Sequence, residues 1–405
     1  SVTTDKMPPW SARGAFLFPA FGFWLELNFT VFVKRVGARG MVRKADIMRV
    51  DALSAEDVAR WRAWQLQNRD FHNPFFHPDF TRAAASAVPG VRMARISEGQ
   101  EIIGYWPFQI RSGTVYPVAA PMNDYHGVIT KDGVSIDLEE LTRLLGARRI
   151  SVNSWVGQSR LPQRQTCQVF LGEGGYEAWF AAQRTSFPKY FKDKMRSLRG
   201  MEANLGPVQV KTRQRDPHLL DQLIALKSAQ YGSSGLHDIF GVQWTRKLLA
   251  ELLKSDTGLQ ASIATLHAGE RLLALELSLH ADGVWHFWFP AYLMEGARYS
   301  PGIWLSLETI RIESETGISE FDYGFVGEAY KKYFCNQVRE VTEGVAGRPG
   351  WIDRLVPVIG SPATARSARH RWAAIEAVET DWVGRARGVA RAASSFVTRQ
   401  RTGES

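Results

Sequence analysis

The chain has 405 residues, of which 22% are charged and 45% hydrophobic, with 22 Phe, 14 Trp and 11 Tyr. This much apolar surface excludes a mainly disordered protein, and the length allows two to four domains. The two cysteines, Cys167 and Cys335, exclude a disulfide framework and a cysteine-rich zinc or iron–sulfur site, and reduced thiols favour a cytoplasmic location.

The positive charge is concentrated at the two ends of the chain. The formal net charge is +9, to which residues 1–40 contribute +3 and residues 348–405 contribute +5, so that residues 41–347 carry only +1. Because a nucleic-acid-binding core is expected to be basic itself, we expect no specific nucleic-acid partner. The basic ends predict either peripheral contact with an anionic membrane or a solubilising tail.

An apolar run at 15–33 is long enough to suggest a membrane anchor. It is interrupted by Pro19, Gly22, Glu26 and Asn28, and no small-residue cleavage site follows it, so both a membrane span and a secretory signal are disfavoured. Organised sequence begins near Met41. We therefore predict an N-terminal extension at 1–40 and, from the Ala/Arg-rich composition, a basic tail of one or two amphipathic helices at 348–405.

An N-terminal half is predicted at 41–160. Ser54 and the acidic pair behind it predict a capped helix. Alternating apolar residues with tight turns predict an antiparallel meander. The predicted elements are a strand at 41–50, helices at 55–67 and 79–87, strands at 91–97, 101–110 and 114–119, a helix at 137–147 and a strand at 150–155. His72 and His77 lack a supporting carboxylate or cysteine, so no metal site is expected.

The loop at 121–130 places three polar side chains, Asp124, Tyr125 and His126, next to one another. Such a group can position a hydroxyl or an amine of a substrate. It is equally typical of an ordinary Asx turn. The loop is therefore a candidate substrate-binding segment with that alternative open.

The order of elements in residues 161–347 is the most informative pattern in the chain. Three strands joined by tight turns are followed by a helix, a strand, a short helix and a last strand. The predicted elements are helices at 176–184, 188–204, 217–230, 241–254, 301–316 and 327–335, and strands at 208–212, 259–268, 271–280, 284–292, 318–323 and 337–346. An antiparallel meander followed by a helix and a parallel strand is the topology of GNAT-type acyltransferases.

A phosphate site is predicted where the helix at 301–316 begins. Ser300 suits the N-cap, Pro301 suits the first helical position, and Gly302 leaves the backbone accessible. The free N–H groups around Ile303 and the positive end of the helix dipole would then face a pyrophosphate. The basic helix surface of Lys189, Lys192, Lys194, Arg196 and Arg199 is either a solvated face or a second contact for the same phosphates.

Three segments resemble the cellulose- and exopolysaccharide-associated (CelD-like) GNAT acetyltransferases. They are YSPGIWL at 299–305, FDYG at 321–324 and EAYKKYF at 328–334. The N-P-F and N-D-Y-H loops of the first half extend the resemblance over roughly 50–345. The chain departs from the family at Phe325, Val326 and Gly327, where the family has Arg, Gly and Asp.

The resemblance implies an α/β (α+β) fold with two GNAT-like halves, each a mixed, mostly antiparallel sheet flanked by helices, related to the Fem-type transferases. It implies acetyl-CoA or another acyl-CoA as co-substrate, no metal, and direct transfer to a sugar or amino-sugar. The donor would lie along residues 287–290, with the contacts assigned to Phe287, Trp288, Phe289, Ser300, Pro301, Gly302, Ile303 and Lys331.

Three residues are candidates for acid–base work. Tyr330 could protonate the leaving thiolate, or pack against an aromatic neighbour. Asp322, at a strand end, could be the general base, or pair with a lysine. Glu276 could face the cleft or the solvent.

Other residues of the predicted cleft have open roles. Lys331 could neutralise a phosphate or be surface charge, and Trp285 could stack on a sugar ring. His286 is interpreted as a packed strand histidine. Two other functions remain open, namely a Fem-type tRNA-dependent aminoacyltransferase and a non-catalytic GNAT-fold partner in a polysaccharide synthase complex.

Overall fold

The computed structural model describes residues 42–234, 236–350 and 362–391. The N-terminal extension predicted at 1–40, with its apolar run, lies outside these residues. Within them, no helix is long and apolar enough to cross a membrane.

Helices and strands alternate along the described chain. The strands are β1 Arg43–Met48, β2 Val91–Glu98, β3 Glu101–Arg111, β4 Thr114–Pro117, β5 Ile129–Thr130, β6 Arg149–Trp155, β7 Gln163–Phe170, β8 Val208–Gln214, β9 Gln260–Ala268, β10 Arg271–Ala281, β11 Val284–Tyr292, β12 Glu320–Phe325 and β13 Gln337–Gly347. The helices are α1 Ala55–Gln67, α2 Pro78–Ala87, α3 Leu138–Leu144, α4 Gly175–Ser186, α5 Pro188–Leu205, α6 Pro217–Ser233, α7 Gln243–Lys254, α8 Pro301–Ser314 and α9 Pro362–Val378, followed by a helical stretch at 382–391.

All thirteen strands belong to one mixed sheet. Its order is β1-β2-β3-β4-β6-β13-β7-β12-β11-β10-β9-β8, with β5 beside β3. Strands β1 to β4 form one antiparallel meander and β8 to β11 another, and each meander is followed by a parallel neighbour, β6 beside β4 and β12 beside β11. The predicted fold class, a mixed sheet flanked by helices and built from two similar halves, is confirmed.

The last strands of the two halves are interleaved. Strand β13 lies between β6 and β7, and β7 lies between β13 and β12. Strand β13 follows the second half in the sequence but completes the sheet of the first half beside β6. Strand β7 follows the elements of the first half but completes the sheet of the second half beside β12. The boundary predicted between 160 and 161 stays a prediction, but the sheet runs across it without a break.

Helices cover both faces of this sheet. One buried cluster includes Trp61 of α1, Phe80 of α2, Leu223 of α6 and Leu248 of α7, so helices of both halves share one core. On the opposite face of the second half, α4, α5 and α8 pack around Trp179, Phe191 and Leu305 in a second cluster. Strands β11 and β12 are thus supported from both sides.

The C-terminal helix α9 docks on the body. Ile375, Ala377 and Val378 are buried, and the carbonyl oxygen of Val378 accepts a 2.8 Å hydrogen bond from the indole of Trp244. Within the tail predicted at 348–405, residues 362–378 and 382–391 are helical.

Three elements differ from the predicted ones. Strand β7 was missed because its residues, QRQTCQVF, are mostly polar. The strand predicted at 318–323 is Glu320–Phe325. The helix predicted at 327–335 is reduced to a 3-10 turn at Lys331–Tyr333 because two glycines precede it and Lys331 bonds backwards to the strand end.

Candidate active site

Strands β11 and β12 separate part of the way along their length. They pair in parallel only where Val284, Trp285 and His286 face Glu320, Phe321 and Asp322. Beyond His286, β11 remains paired with β10 and β12 remains paired with β7, but β11 and β12 no longer pair with each other. A cavity of about 480 Å³ lies at this separation, lined by Asp124, Arg164, Glu276, Phe287, Trp288, Pro290, Tyr323, Gly324, Phe325, Val326, Gly327, Glu328, Tyr330 and Lys331.

Glu276 is the buried carboxyl group of this cleft. It lies on β10 opposite Pro290 of β11 and is 5% exposed. Burial raises the pKa of Glu276 to about 8, although the nearby cations of Lys331 and Lys227 act in the opposite direction. A carboxyl group with this pKa exchanges its proton near neutral pH, which suits a general base. The prediction that Glu276 faces the cleft agrees with this placement.

Tyr330 lines the same cleft from the turn after β12. Its ring packs edge-on against Phe334 at 6.0 Å. Burial raises the pKa of the Tyr330 phenol well above its usual range, with the carboxylates of Glu276 and Glu328 adding to the effect. The phenol is therefore protonated at neutral pH and can donate. Packing and proton donation, the two readings of this residue, are compatible here.

Lys331 holds the end of β12 in place. Its ammonium donates to the carbonyl oxygens of Tyr323 at 2.8 Å and Phe325 at 2.6 Å, and it lies 2.7 Å from the Glu328 carboxylate. An ammonium has three protons, and these three acceptors match them. Lys331 therefore shapes the cleft wall with all three of its protons engaged, and its assignment to a phosphate stays a prediction.

A buried polar network lies behind the cleft. The Nε2 atom of His286 lies 3.0 Å from Oδ2 of Asp124, and its Nδ1 lies 3.5 Å from Oδ1 of Asp322. Burial alone would lower the pKa of His286, but the hydrogen bonds to these two carboxylates outweigh it and raise the pKa to about 9. The two aspartates thus stabilise the protonated form of the imidazole, and its interpretation as simple packing is too limited.

Asp322 is fully buried and does not line the cavity. It accepts hydrogen bonds from the Tyr125 hydroxyl at 3.0 Å, the Gly324 amide at 2.7 Å and the Asn73 side chain at 3.2 Å. Burial alone would raise the pKa of Asp322, but the interaction with His286 lowers it. A carboxylate so fully engaged is placed to hold its neighbours, so its role as general base is not favoured.

The three polar residues of the loop at 121–130 lie in different places relative to the cleft. Asp124 reaches the cavity, and its side chain is 26% exposed. Tyr125 lies behind it, bonded to Asp322. His126 is buried elsewhere, where its Nε2 accepts from the amides of Asn153 and Ser154, and burial lowers its pKa to about 3. The structure therefore does not bring His126 to the substrate.

Four residues predicted to contact the donor or the acceptor lie in different environments. Phe287 and Trp288 line the cavity. Phe289 packs against Phe240 and belongs to a different hydrophobic cluster from Phe287, because a β-bulge at Trp288 interrupts the alternation of side chains along β11. Trp285 is fully buried and stacks on His280 at 4.5 Å, so it cannot reach a sugar ring.

The start of α8 differs from the predicted cap. Ser300 occupies the N-cap position but has a left-handed backbone, with φ 56° and ψ 52°, and its side chain makes no capping bond. Its hydroxyl instead accepts a 2.8 Å hydrogen bond from Lys194 of α5. A Cβ atom added to Gly302 would meet nothing within 4 Å, so the first turn is open to an approaching anion. Gly302 and Ile303 are partly exposed and form an accessible helix start with a lysine beside it, whereas Pro301 is buried.

Sequence reasoning missed the partners that join the two halves. Asn73 of the first half and Gln168 of β7 both donate to Asp322, and neither was a candidate. Only the Asn73 position, in the N-P-F loop, gave a signal. Within residues 42–234, 236–350 and 362–391, no group of three metal-ligating side chains could hold a metal ion.

Part of the chain that forms this site matches a known protein family. A family model described as the acetyltransferase (GNAT) domain matches residues 188–332. That segment contains α8, Glu276, His286 and Tyr330. This segment is thus similar to a GNAT acetyltransferase domain, and the prediction of an acyltransferase is confirmed. A search of the curated proteins gives no match.

Several solved structures are similar to this chain. FemX has 11% identity over 74% of this chain and 96% of its own, with a TM-score of 0.47. A tandem GNAT protein from the clavulanic acid biosynthesis pathway has 10% identity over 76% and 100%, with a TM-score of 0.43. The C-terminal domain of a putative lysylphosphatidylglycerol synthetase from Agrobacterium fabrum has 11% identity over 75% and 95%, also with a TM-score of 0.43.

Proposed function

We propose that the protein is an acyl-CoA-dependent N- or O-acyltransferase whose acceptor is a sugar or amino-sugar, as in the biosynthesis of a surface polysaccharide. The observation that carries the proposal is the cleft between β11 and β12, where a carboxyl group of raised pKa, Glu276, and a protonated phenol, Tyr330, line one cavity. A direct transfer needs one group to accept a proton and one to donate it.

The residues divide the work as follows. The open first turn of α8 and Lys194 hold the diphosphate of the acyl-CoA, and its thioester enters the space beside Phe287. Glu276, once deprotonated, takes the proton of the attacking amine or hydroxyl. A bond forms from the acceptor to the acyl carbon, the bond from that carbon to sulfur breaks, and Tyr330 gives its proton to the departing thiolate. Solvent then returns the proton from Glu276 to Tyr330.

The acceptor class is supported by what lines the remaining wall. Asp124 and Glu328 offer carboxylates to hydroxyl or ammonium groups, and the faces of Phe325 and Tyr323 offer apolar surface to a sugar ring. Acyl transfer with no metal is chemically complete with these groups, since positioning and electrostatics supply the rate.

Calorimetric titration with acetyl-CoA, followed by a transfer assay with glucosamine and glucose as amine and hydroxyl probes, tests the proposal. We expect binding in the micromolar range and transfer to glucosamine. Absence of acetyl-CoA binding would overturn the acyltransferase and favour the non-catalytic partner. Binding without transfer to either sugar would overturn the acceptor class, and activity lost on ribonuclease treatment would favour a tRNA-dependent donor.

A further inference from the structure

Two loops of the first half meet the catalytic strands of the second half at one buried histidine. Asn73 and Asp124 come from the loops after α1 and β4, whereas His286 and Asp322 come from β11 and β12. His286 lies within hydrogen-bond distance of each of the other three side chains, and Asn73 also reaches Asp322. Three of them are fully or almost fully buried, and only Asp124 reaches the cleft.

We propose that His286 is a positioning residue which, braced by Asp322, presents the Asp124 carboxylate to the hydrogen-bond donor of the acceptor, so that the first half of the chain completes the acceptor side of the active site. The inference rests on the proposed function and adds a division of labour to it. The second half holds the donor and the acid–base pair, and the first half supplies acceptor recognition.

The geometry favours this direction of action. Asp322 is the inner anchor because it accepts bonds from Tyr125, Gly324 and Asn73, which leaves no path to the cleft. His286 is the middle element, with no exposed surface of its own. Its ring is fixed edge-on by Phe75 at 5.0 Å and Tyr125 at 5.9 Å. A side chain that is packed on every side can fix the position of its neighbours, but it cannot contact a substrate.

The amide of Asn73 contacts both the His286 ring and the Asp322 carboxylate. Its Nδ2 lies 3.1 Å from His286 Nδ1 and 3.2 Å from Asp322 Oδ2. Its Oδ1 is already used by the Phe75 amide, which fixes the orientation of the side chain. The Nδ2 group carries two protons, so it can donate to Asp322 and to His286 Nδ1 at once. The Nε2–H group of the ring is then directed at the Asp124 carboxylate across 3.0 Å.

Gly324 keeps this arrangement close to the cleft. It has φ of +64°, and a Cβ atom there would lie 3.8 Å from both Asp124 Oδ2 and His286 Cε1. Its backbone amide bonds Asp322 at 2.7 Å. The strand end thus wraps around the network and leaves the Asp124 carboxylate as the part that faces the cavity.

The test compares Asp124→Asn, His286→Gln and their combination, with acetyl-CoA as donor and glucosamine as acceptor probe. We expect Asp124→Asn to raise the KM for glucosamine about tenfold or more, as befits loss of a charge-assisted hydrogen bond, while the Kd for acetyl-CoA stays the same. His286→Gln keeps a donor near the Nε2 position but no charge, so the increase should be smaller. The double variant should resemble Asp124→Asn, because both changes act through one carboxylate.

His280→Gln is the matched control. It also removes a buried strand histidine, one that bonds Ser262 at 3.2 Å and does not line the cleft. It should leave both constants unchanged. If His286→Gln does not fold, Asp124→Asn alone decides, together with the NMR titration of the His286 ring, whose pKa should fall from about 9 when Asp124 loses its charge.

The failures of the two proposals can be told apart. Wild-type protein that binds acetyl-CoA but transfers to no sugar overturns the acceptor class and this inference with it. Transfer to glucosamine with an unchanged KM in Asp124→Asn overturns the inference alone. Additive effects in the double variant would show that His286 and Asp124 act separately, which also contradicts it.

Discussion

Lys194 of α5 donates a 2.8 Å hydrogen bond to the hydroxyl of Ser300, directly before the first turn of α8. The bond joins the basic helix to the helix start that was predicted to bind phosphate. Burial lowers the pKa of Lys194. Because the ammonium is partly shielded from water, its electrostatic interaction with a second charge is strengthened. A cation beside open helical N–H groups favours a diphosphate.

Replacing Lys194 with Gln should weaken acetyl-CoA binding about threefold to tenfold, which corresponds to about 1 kcal/mol for a partly exposed charge. The loss should shrink as ionic strength rises, because salt screens the interaction. Calorimetry at two salt concentrations measures both effects. Lys192→Gln, an exposed lysine on the same helix, is the control, and an equal loss there would mean that only overall charge matters.

Replacing Gly302 with Val should reduce acetyl-CoA affinity while the protein unfolds at nearly its normal temperature. The added side chain meets no protein atom within 4 Å of its Cβ, so the fold tolerates it and only an approaching ligand is crowded. Gly232→Val, in α6 and equally uncrowded, controls for the loss of a helical glycine. Unchanged affinity in Gly302→Val would remove the phosphate assignment.

Replacing Glu276 with Gln should lower turnover at least a hundredfold at saturating acetyl-CoA, because the amide cannot accept the acceptor's proton. In the wild-type protein, turnover should rise with pH through about 8, as the carboxyl group loses its proton. The pH–rate profile measures this. A flat profile between pH 7 and pH 9 would show that another group is the base.

The same substitution has a second, opposite consequence for stability. The folded pKa of Glu276, about 8, lies above the usual value of 4.5, so between these pH values the folded state binds more protons than the unfolded state. The free energy of unfolding therefore falls as pH rises through this window. Glu276→Gln should unfold at a higher temperature than wild type at pH 8.5 and show less difference at pH 5, as measured by thermal denaturation.

How much could be predicted from the sequence depended on whether a residue's partners were local. The helix starts and tight turns of both meanders follow from short-range patterns, such as the capping box of Ser54 and Asp57. Glu276 could be recognised because a carboxylate interrupts an apolar strand. Tyr330 and Gly302 were found through motif spacing.

The remaining features depend on pairs that are distant in the sequence. His286 lies in an aromatic strand and looks like core until Asp124, 162 positions away, is placed against it. Strand β7 is mostly polar, so its sequence does not reveal that it pairs with β12 and β13 in the middle of a sheet that neither half forms alone. The interleaving of β7 and β13 could not be read from either segment.

Replacing Tyr330 with Phe should lower turnover about tenfold to a hundredfold and leave acetyl-CoA affinity unchanged. The ring keeps its packing against Phe334, so only the proton of the hydroxyl is removed. Tyr333→Phe is the control. Tyr333 lies in the same turn as Tyr330, but its ring stacks on Tyr190 of α5 at 3.7 Å and does not line the cleft. Single-turnover rates separate the chemical step from binding, and a wild-type rate in Tyr330→Phe would exclude it as the acid.

Replacing Glu376 with Ala should destabilise the protein by about 2 to 4 kcal/mol, because the carboxylate is buried where α9 docks on the first half. It accepts a 2.7 Å hydrogen bond from Tyr116 and lies 3.3 Å from the guanidinium of Arg149. Loss of the acceptor leaves both donors buried without it. Denaturant unfolding followed by tryptophan fluorescence should report the change, since Trp244 bonds the same helix at Val378. In the Tyr116→Phe variant, replacing Glu376 should lower the free energy of unfolding by less than it does in the wild-type protein. Strict additivity of the two changes would mean that this contact does not hold the helix in place.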